Sequence, residues 1–206
     1  MNVTVIVLAR DPRTAKTRLR PSLGPDGRRR LAAAMLDDVV AAAVATGWAV
    51  LVVTDARSSA ARARAAGAQA MIVRARGTRD GARRGIVRAL RGGAGAVLIV
   101  AADVPMVRAV DLRRVAHAGR SSDVVIVPDR RQSGTNALYL RPPSRMAPRF
   151  GPGSLGAHRT AAGVHGRTLP VARLALDVDT PADLELLRRQ KRRAGPRTRA
   201  ALEHED

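Results

Sequence analysis

The sequence predicts an α/β protein, a single-domain three-layer αβα sandwich, from three observations. Short β-branched runs alternate with stretches of helical spacing along the chain. One run, Ala96–Ala101 (AVLIVA), is apolar without interruption, as a strand covered on both faces of a parallel sheet reads. A length of 206 residues suffices for one domain with its own core.

The elements follow in order. Asn2–Ala9 (NVTVIVLA) is rich in β-branched residues and reads as the first buried strand, followed by a polar loop over Arg10–Pro25. Arg28–Thr46 carries apolar residues at helical spacing, with Asp26 as N-cap and Gly47 as terminator. Ala49–Thr54 is the second strand, Ser58–Ala66 an alanine-rich helix ended by Gly67, and Ala70–Val73 a brief third strand. Gly77–Leu90 is a glycine-containing loop running into a helix that precedes the central strand. Asp103 and Pro105 stop that strand, and Ala109–Ala118 is helical with Asp111 near its start.

Asp123–Pro128 and Asn136–Leu140, joined by DRRQSGT, read as a hairpin or antiparallel excursion at the sheet edge. A proline-rich loop leads to a short helix over Gly153–Gly163. Leu169–Val178 reads as a late strand, and Asp179 or Thr180 caps a helix from Pro181 to Gln190. Residues 1–187 form the domain, and 188–206 a charged, mobile tail with little to bury.

The formal charge of +20 raises the question of nucleic acid, because clustered cations bind phosphate backbones. The distribution argues against it. Of 37 basic residues only Lys16 and Lys191 are lysines, and the arginines are spread along the chain rather than striped. Trp48, Tyr139 and Phe150 are the sole aromatic residues on which bases could stack. Net positive charge still attracts small phosphorylated substrates. No apolar run approaches a membrane span, and the start of the chain has no basic region of a signal peptide. Without cysteines there are no disulfides or thiolate metal sites. No membrane or nucleic-acid partner is expected, and the cytoplasm is the default compartment.

The acidic and basic residues at strand ends carry the chemistry. An aspartate just past the carboxyl end of a central strand lies where open α/β sheets bind ligands, so Asp103 suits Mg²⁺ on a nucleotide phosphate. A turn-forming Asp before Pro is the alternative. Asp177 and Asp179 alternate onto one face while their strand lasts, and Asp103 and Asp179 could share one or two Mg²⁺ ions. Asp179 before Thr-Pro is equally an ordinary helix start. In the first loop, Lys16 and Arg18 could clamp a triphosphate and stabilise a leaving pyrophosphate. GxGxxG and the P-loop pattern are missing. Ser133-Gly134-Thr135-Asn136 and Phe150-Gly151-Pro152-Gly153-Ser154 offer hydroxyls and backbone donors that suit a small phosphorylated carboxylate. His117, His158, His165 and His204 show neither ligand spacing nor a paired nucleophile.

Together these motifs resemble a known family. AKTRL, AADVP, VPDR, GTNALYLRPP, FGPGS and LDVDTPADL occur in the order of the guanylyltransferases of coenzyme F420 biosynthesis, which act on phosphoenolpyruvate or 2-phospho-L-lactate. The resemblance implies a Rossmann-like (GT-A-like) nucleotidyltransferase fold with a mixed, mostly parallel sheet. It implies that the phosphate of a three-carbon acid attacks the α-phosphorus of GTP, releasing pyrophosphate with Mg²⁺ as cofactor. The product would pass to the next F420-pathway transferase. It assigns the acceptor to Thr135, Gly151 and Ser154, the metal to Asp103 and Asp179, and catalysis to Lys16, Arg18 and Asp103. The nucleotide falls to Ala9, Arg10, Lys16, Arg18, Asp80 and Gly81.

Two departures stand out. Asp80 replaces an expected Asn; its carboxylate accepts from guanine N1–H and N2–H₂ but cannot donate to a base carbonyl. The first loop reads LARDP where the family has PVK-like sequence. Phosphoenolpyruvate is the first candidate acceptor, 2-phospho-L-lactate the second and 3-phospho-D-glycerate the third. Two other readings stand beside this one: a related nucleotidyl- or sugar-nucleotide transferase with another acceptor, and a basic nucleic-acid-binding protein.

Overall fold

The computed structural model describes residues 2–74 and 77–203; His204 lies outside them. The strands are β1 (Val3–Ala9), β2 (Ala49–Thr54), β3 (Gln69–Ile72), β4 (Ala96–Ala101), β5 (Val124–Pro128), β6 (Thr135–Leu140) and β7 (Gly166–Thr168). The helices are α1 (Pro25–Val44), α2 (Arg57–Ala65), α3 (Thr78–Arg91), α4 (Ala109–Ala118), α5 (Ser154–Ala162), α6 (Ala172–Ala175), α7 (Pro181–Arg189) and α8 (Pro196–Glu203). One seven-stranded sheet runs β3-β2-β1-β4-β6-β5-β7. Only β6 opposes its neighbours; the other pairs are parallel.

The strand period of two splits the core into two layers. Val3, Val5, Val7, Leu98, Val100 and Tyr139 pack with α1, α2 and α4 on one face. Ile6, Val97, Ile99 and Leu138 pack with α3 and α5 on the other. This is the expected three-layer sandwich, with a mixed, mostly parallel sheet. Gly119, at the end of α4, lets the helix meet the sheet: a Cβ there would lie 2.1 Å from Tyr139 Cε1. A third cluster lies off the sheet, where Leu19, Leu31, Met35, Met106, Val178, Leu184 and Leu202 bring the first loop, α1, α7 and α8 together. No helix among the described residues is long and apolar enough to cross a membrane.

Four expectations are corrected. The β5–β6 hairpin forms, but β6 is not at the edge: it inserts between β4 and β5 and is buried throughout. The strand expected over Leu169–Val178 does not form. The ladder ends with β7 at Thr168, just before Pro170, and the later apolar residues Leu176 and Val178 are buried in the third cluster instead. Asp26 is not the N-cap of α1; the cap is Gly24, because Pro25 takes the first helical position and Asp26 falls in the first turn. The tail expected to bury little returns to the body as α8. Its first N–H groups, Arg197 N and Thr198 N, donate to the Asp38 carboxylate at 3.1 and 2.7 Å, and Thr198 and Leu202 are buried.

Candidate active site

The sheet delivers three segments to one edge. β1 and β4 lie side by side with Leu8 level with Ala101, so the loops carrying Lys16 and Asp103 leave the sheet together. Because β6 runs the other way, it begins at the edge where the parallel strands end, which brings Thr135 and Asn136 beside those loops. The segment before α7 reaches the same place because Val178 N donates to Asp103 O at 3.1 Å.

Lys16 is the centre of the arrangement. Its Nζ donates to Asp103 Oδ2 at 2.5 Å and Asp179 Oδ1 at 2.7 Å, and its side chain is 8% exposed. Burial opposes the ammonium form, but the two carboxylates more than offset it and hold the Lys16 pKa above the ordinary lysine value. The backbone of Lys16 is left-handed, at φ 57° and ψ 34°, a conformation that costs an L-residue about 1–2 kcal/mol. The loop before it is braced by Asp11, whose backbone carbonyl accepts from Thr14 N and Ala15 N. Hydrogen bonds from Arg13 keep the Asp11 carboxyl below its usual range despite burial.

Asp179 is held by its own helix. The Asp183 carboxylate accepts from Asp179 N at 3.3 Å and Thr180 N at 2.9 Å, closing a capping box at the start of α7. Burial opposes ionisation of Asp183, but bonds from Thr180 and the Arg130 and Arg131 guanidinium groups outweigh it and lower its pKa. Asp177 accepts from Asn136 Nδ2 at 3.1 Å. Burial and the neighbouring carboxylates, Asp103 foremost, push its pKa up. Asn136 also donates to Leu174 O and Ala175 O, stitching this segment to β6.

The opposite wall is built from two glycine turns. At the hairpin, Asp129 accepts from Ser133 N at 2.8 Å, and a Cβ on Gly134 would lie 2.9 Å from Asp129 Oδ2. Gly151 and Gly153 take φ of +128° and +68°, which allow the chain to turn into α5 at Ser154. Buried His158 joins the two turns, with Nδ1 2.9 Å from Thr135 Oγ1 and Nε2 accepting from Arg149 N at 2.8 Å. Burial first, and then Arg149 and Arg79, lower its pKa to about 4.

One cleft brings together Lys16, Arg18, Asp103, Thr135, Gly151, Ser154 and Asp179. A smaller pocket beyond β2 contains Ala9, Arg10 and Gly81 with Asp55; both share Leu8, Ala9, Arg10, Thr14 and Thr78. The expected contact Asp80 lines neither. Its carboxylate pairs with Arg84 one turn along α3, at 3.0 Å. Among the described residues no group of three or more His, Cys, Asp or Glu forms a metal cluster. The acidic pair Asp103 and Asp179 nonetheless offers hard oxygen donors, the chemistry of a site that leaves a cation's remaining positions to phosphate and water.

A family model described as "Guanylyl transferase CofC like" matches residues 3–190. The chain belongs to this family. Among the relatives of this CofC-like protein are two named phosphoenolpyruvate guanylyltransferase. That of Sphaerobacter thermophilus is 39% identical over 91% of this chain and 93% of its own length. That of Rubrobacter xylanophilus is 40% identical over 91% and 94%. Solved structures share the fold. One from Desulfovibrio desulfuricans G20, described among the nucleotide-diphospho-sugar transferases, has a TM-score of 0.79 at 17% identity, covering 99% of this chain and 95% of its own. Rv0371c of Mycobacterium tuberculosis, in complex with manganese, has a TM-score of 0.57 at 24% identity, covering 91% and 98%.

Within this CofC-like guanylyl transferase, three residues support the cleft in ways that spacing along the chain does not reveal. Asp183 and Asn136 act by holding other residues, and His158 lacks a ligand-spaced partner along the chain. The Thr-Pro-x-Asp pattern at 180–183 is the one local signal, since it is a capping box.

Proposed function

We propose that this chain transfers the guanylyl group of GTP to the phosphate of phosphoenolpyruvate, in coenzyme F420 biosynthesis, with Mg²⁺ as the metal. The observation that supports this best is the cleft itself. A hydroxyl- and glycine-lined wall at Thr135, Gly151 and Ser154 faces a cation and two carboxylates, with a second pocket adjoining. That layout matches an acid-binding subsite and a nucleotide subsite meeting at a phosphate. The relatives named for phosphoenolpyruvate make that acid the first choice, ahead of 2-phospho-L-lactate and 3-phospho-D-glycerate.

In this reading a phosphate oxygen of the acid attacks the α-phosphorus of GTP. The bond from the α-phosphorus to the bridging oxygen breaks, and pyrophosphate leaves with the electron pair. The displacement needs no covalent enzyme intermediate, so positioning and charge neutralisation carry the rate. Thr135, Ser154 and the backbone at Gly151 bind the acid's phosphate and carboxylate. Lys16 and Arg18 neutralise the triphosphate and the departing pyrophosphate, and Lys16 suits the first because a compact ammonium reaches between two carboxylates. Ala9, Arg10 and Gly81 flank the nucleotide. Asp80, next to Gly81 on α3, remains the candidate contact for guanine in this reading. Asp103 and Asp179 would hold Mg²⁺, which when bound neutralises phosphoryl charge.

Phosphorus NMR of GTP and phosphoenolpyruvate with Mg²⁺ and the protein tests this. The monoester resonance should decline while a diphosphate-linked product and pyrophosphate grow in equal amounts. An unchanged monoester alongside unconsumed GTP contradicts the proposal.

A further inference from the structure

We propose that His158 is a positioning residue that fixes the Thr135 hydroxyl as a hydrogen-bond donor to the phosphorylated acid. The inference rests on the acid-binding reading of Thr135 given above. A backbone N–H can only donate, so Arg149 N at 2.8 Å makes His158 Nε2 an acceptor. A neutral imidazole whose Nε2 accepts carries its proton on Nδ1. Nδ1–H therefore donates to Thr135 Oγ1 across 2.9 Å, and the hydroxyl is left with its own proton to give.

Among the described residues Thr135 Oγ1 has no other side-chain partner, and Thr135 lines the cleft. The free O–H is thus available to an anion there. The opposite tautomer would take the hydroxyl proton and turn only oxygen lone pairs toward the anion, converting attraction into repulsion. The ring is held for this role. His158 is fully buried, and Phe150 meets it edge to face with centroids 5.1 Å apart. The same imidazole anchors Arg149 at the entry to the Phe150–Ser154 turn, so one residue sets both the donor at Thr135 and the position of the glycine turn.

Two substitutions separate those roles. His158→Gln keeps an acceptor for Arg149 N at the far end of the side chain but loses the donor to Thr135. It should raise the KM for phosphoenolpyruvate about tenfold, the usual effect of one hydrogen bond to a charged group. The KM for GTP should move less than twofold. In a Thr135→Val background the same change should alter the KM for the acid less than twofold, because the hydroxyl it acts through is gone. Equal shifts for both substrates, or effects that multiply in the double variant, overturn the proposal.

Should His158→Gln not fold, ¹⁵N imidazole spectra of the unmodified protein decide. A proton on Nδ1 with Nε2 bare supports the inference, and a proton on Nε2 overturns it. The spectrum does not depend on turnover. A protein inactive with every acid would sink the guanylyl-transfer reading, and the tautomer would still be determined.

Discussion

At the scale of single residues, the cleft depends on a lysine in a chain that otherwise uses arginine. Lys16 is held in a left-handed backbone conformation, between two carboxylates that arrive from segments 87 and 163 residues away. Such strain persists where the surroundings over-determine it, as at ligand sites. Asp103→Asn removes one of these carboxylates at a partly exposed position. We expect turnover to fall by about 10²-fold or more, the typical cost of one preorganised charge, with the fold retained by circular dichroism. Turnover within tenfold of the unmodified protein would take Asp103 out of the reaction. His158 makes a second prediction. Its pKa is about 4 when folded against 6.5 ordinarily, so the unfolded chain binds the proton first. The stability it contributes is complete above pH 6.5 and is lost as pH falls toward 4. The melting temperature of His158→Gln should therefore fall less steeply than that of the unmodified protein over this window; parallel curves would contradict the assignment.

At the scale of elements, the site rests on helices and loops joined by buried acids. Asp183 caps α7 and fixes Asp179, Asp111 holds Arg173 through two bonds of 2.7 and 2.8 Å, and Asp38 caps α8 from α1. α8 in turn covers the third cluster, which also contains Leu19 from the first loop and Val178 from the Asp177–Asp179 segment. Asp38→Ala leaves two helix-start N–H groups without their acceptor. A lost cap costs about 1–2 kcal/mol, or about 2–8 °C for a chain of this size. Calorimetry that finds no change would show that α8 does not support the fold.

These elements differ in how far a local reading reaches them. β2, β4 and α4 match their expected limits because their periodicity and boundaries lie within the segment. The place of β6 does not, since strand order depends on pairing with distant residues. Over Leu169–Val178 the apolar residues are divided between two clusters, Leu169, Val171 and Leu174 against the sheet and Leu176 and Val178 in the satellite core, and hydropathy cannot distinguish that burial from a ladder. At the site, Lys16, Asp103 and Thr135 stand out by type and position, and the structure gathers them in one cleft. Asp80 lines neither pocket, and its carboxylate pairs with Arg84 one turn on.

At the scale of the molecule, the +20 charge and the reversed strand serve different ends. The charge favours the arrival of anionic small molecules from solution. The reversed β6 starts at the edge where the parallel strands stop, so one wall of the cleft comes from a strand's beginning and the other from strand ends. That geometry sets Thr135 and Asn136 in one cleft with the loops that carry Lys16 and Asp103. The most direct test of the account is pyrophosphate release with Mg²⁺, crossing four nucleoside triphosphates with phosphoenolpyruvate, 2-phospho-L-lactate and 3-phospho-D-glycerate. The account predicts release with GTP and phosphoenolpyruvate above every other pair; release with another nucleotide, or none with any pair, would contradict it.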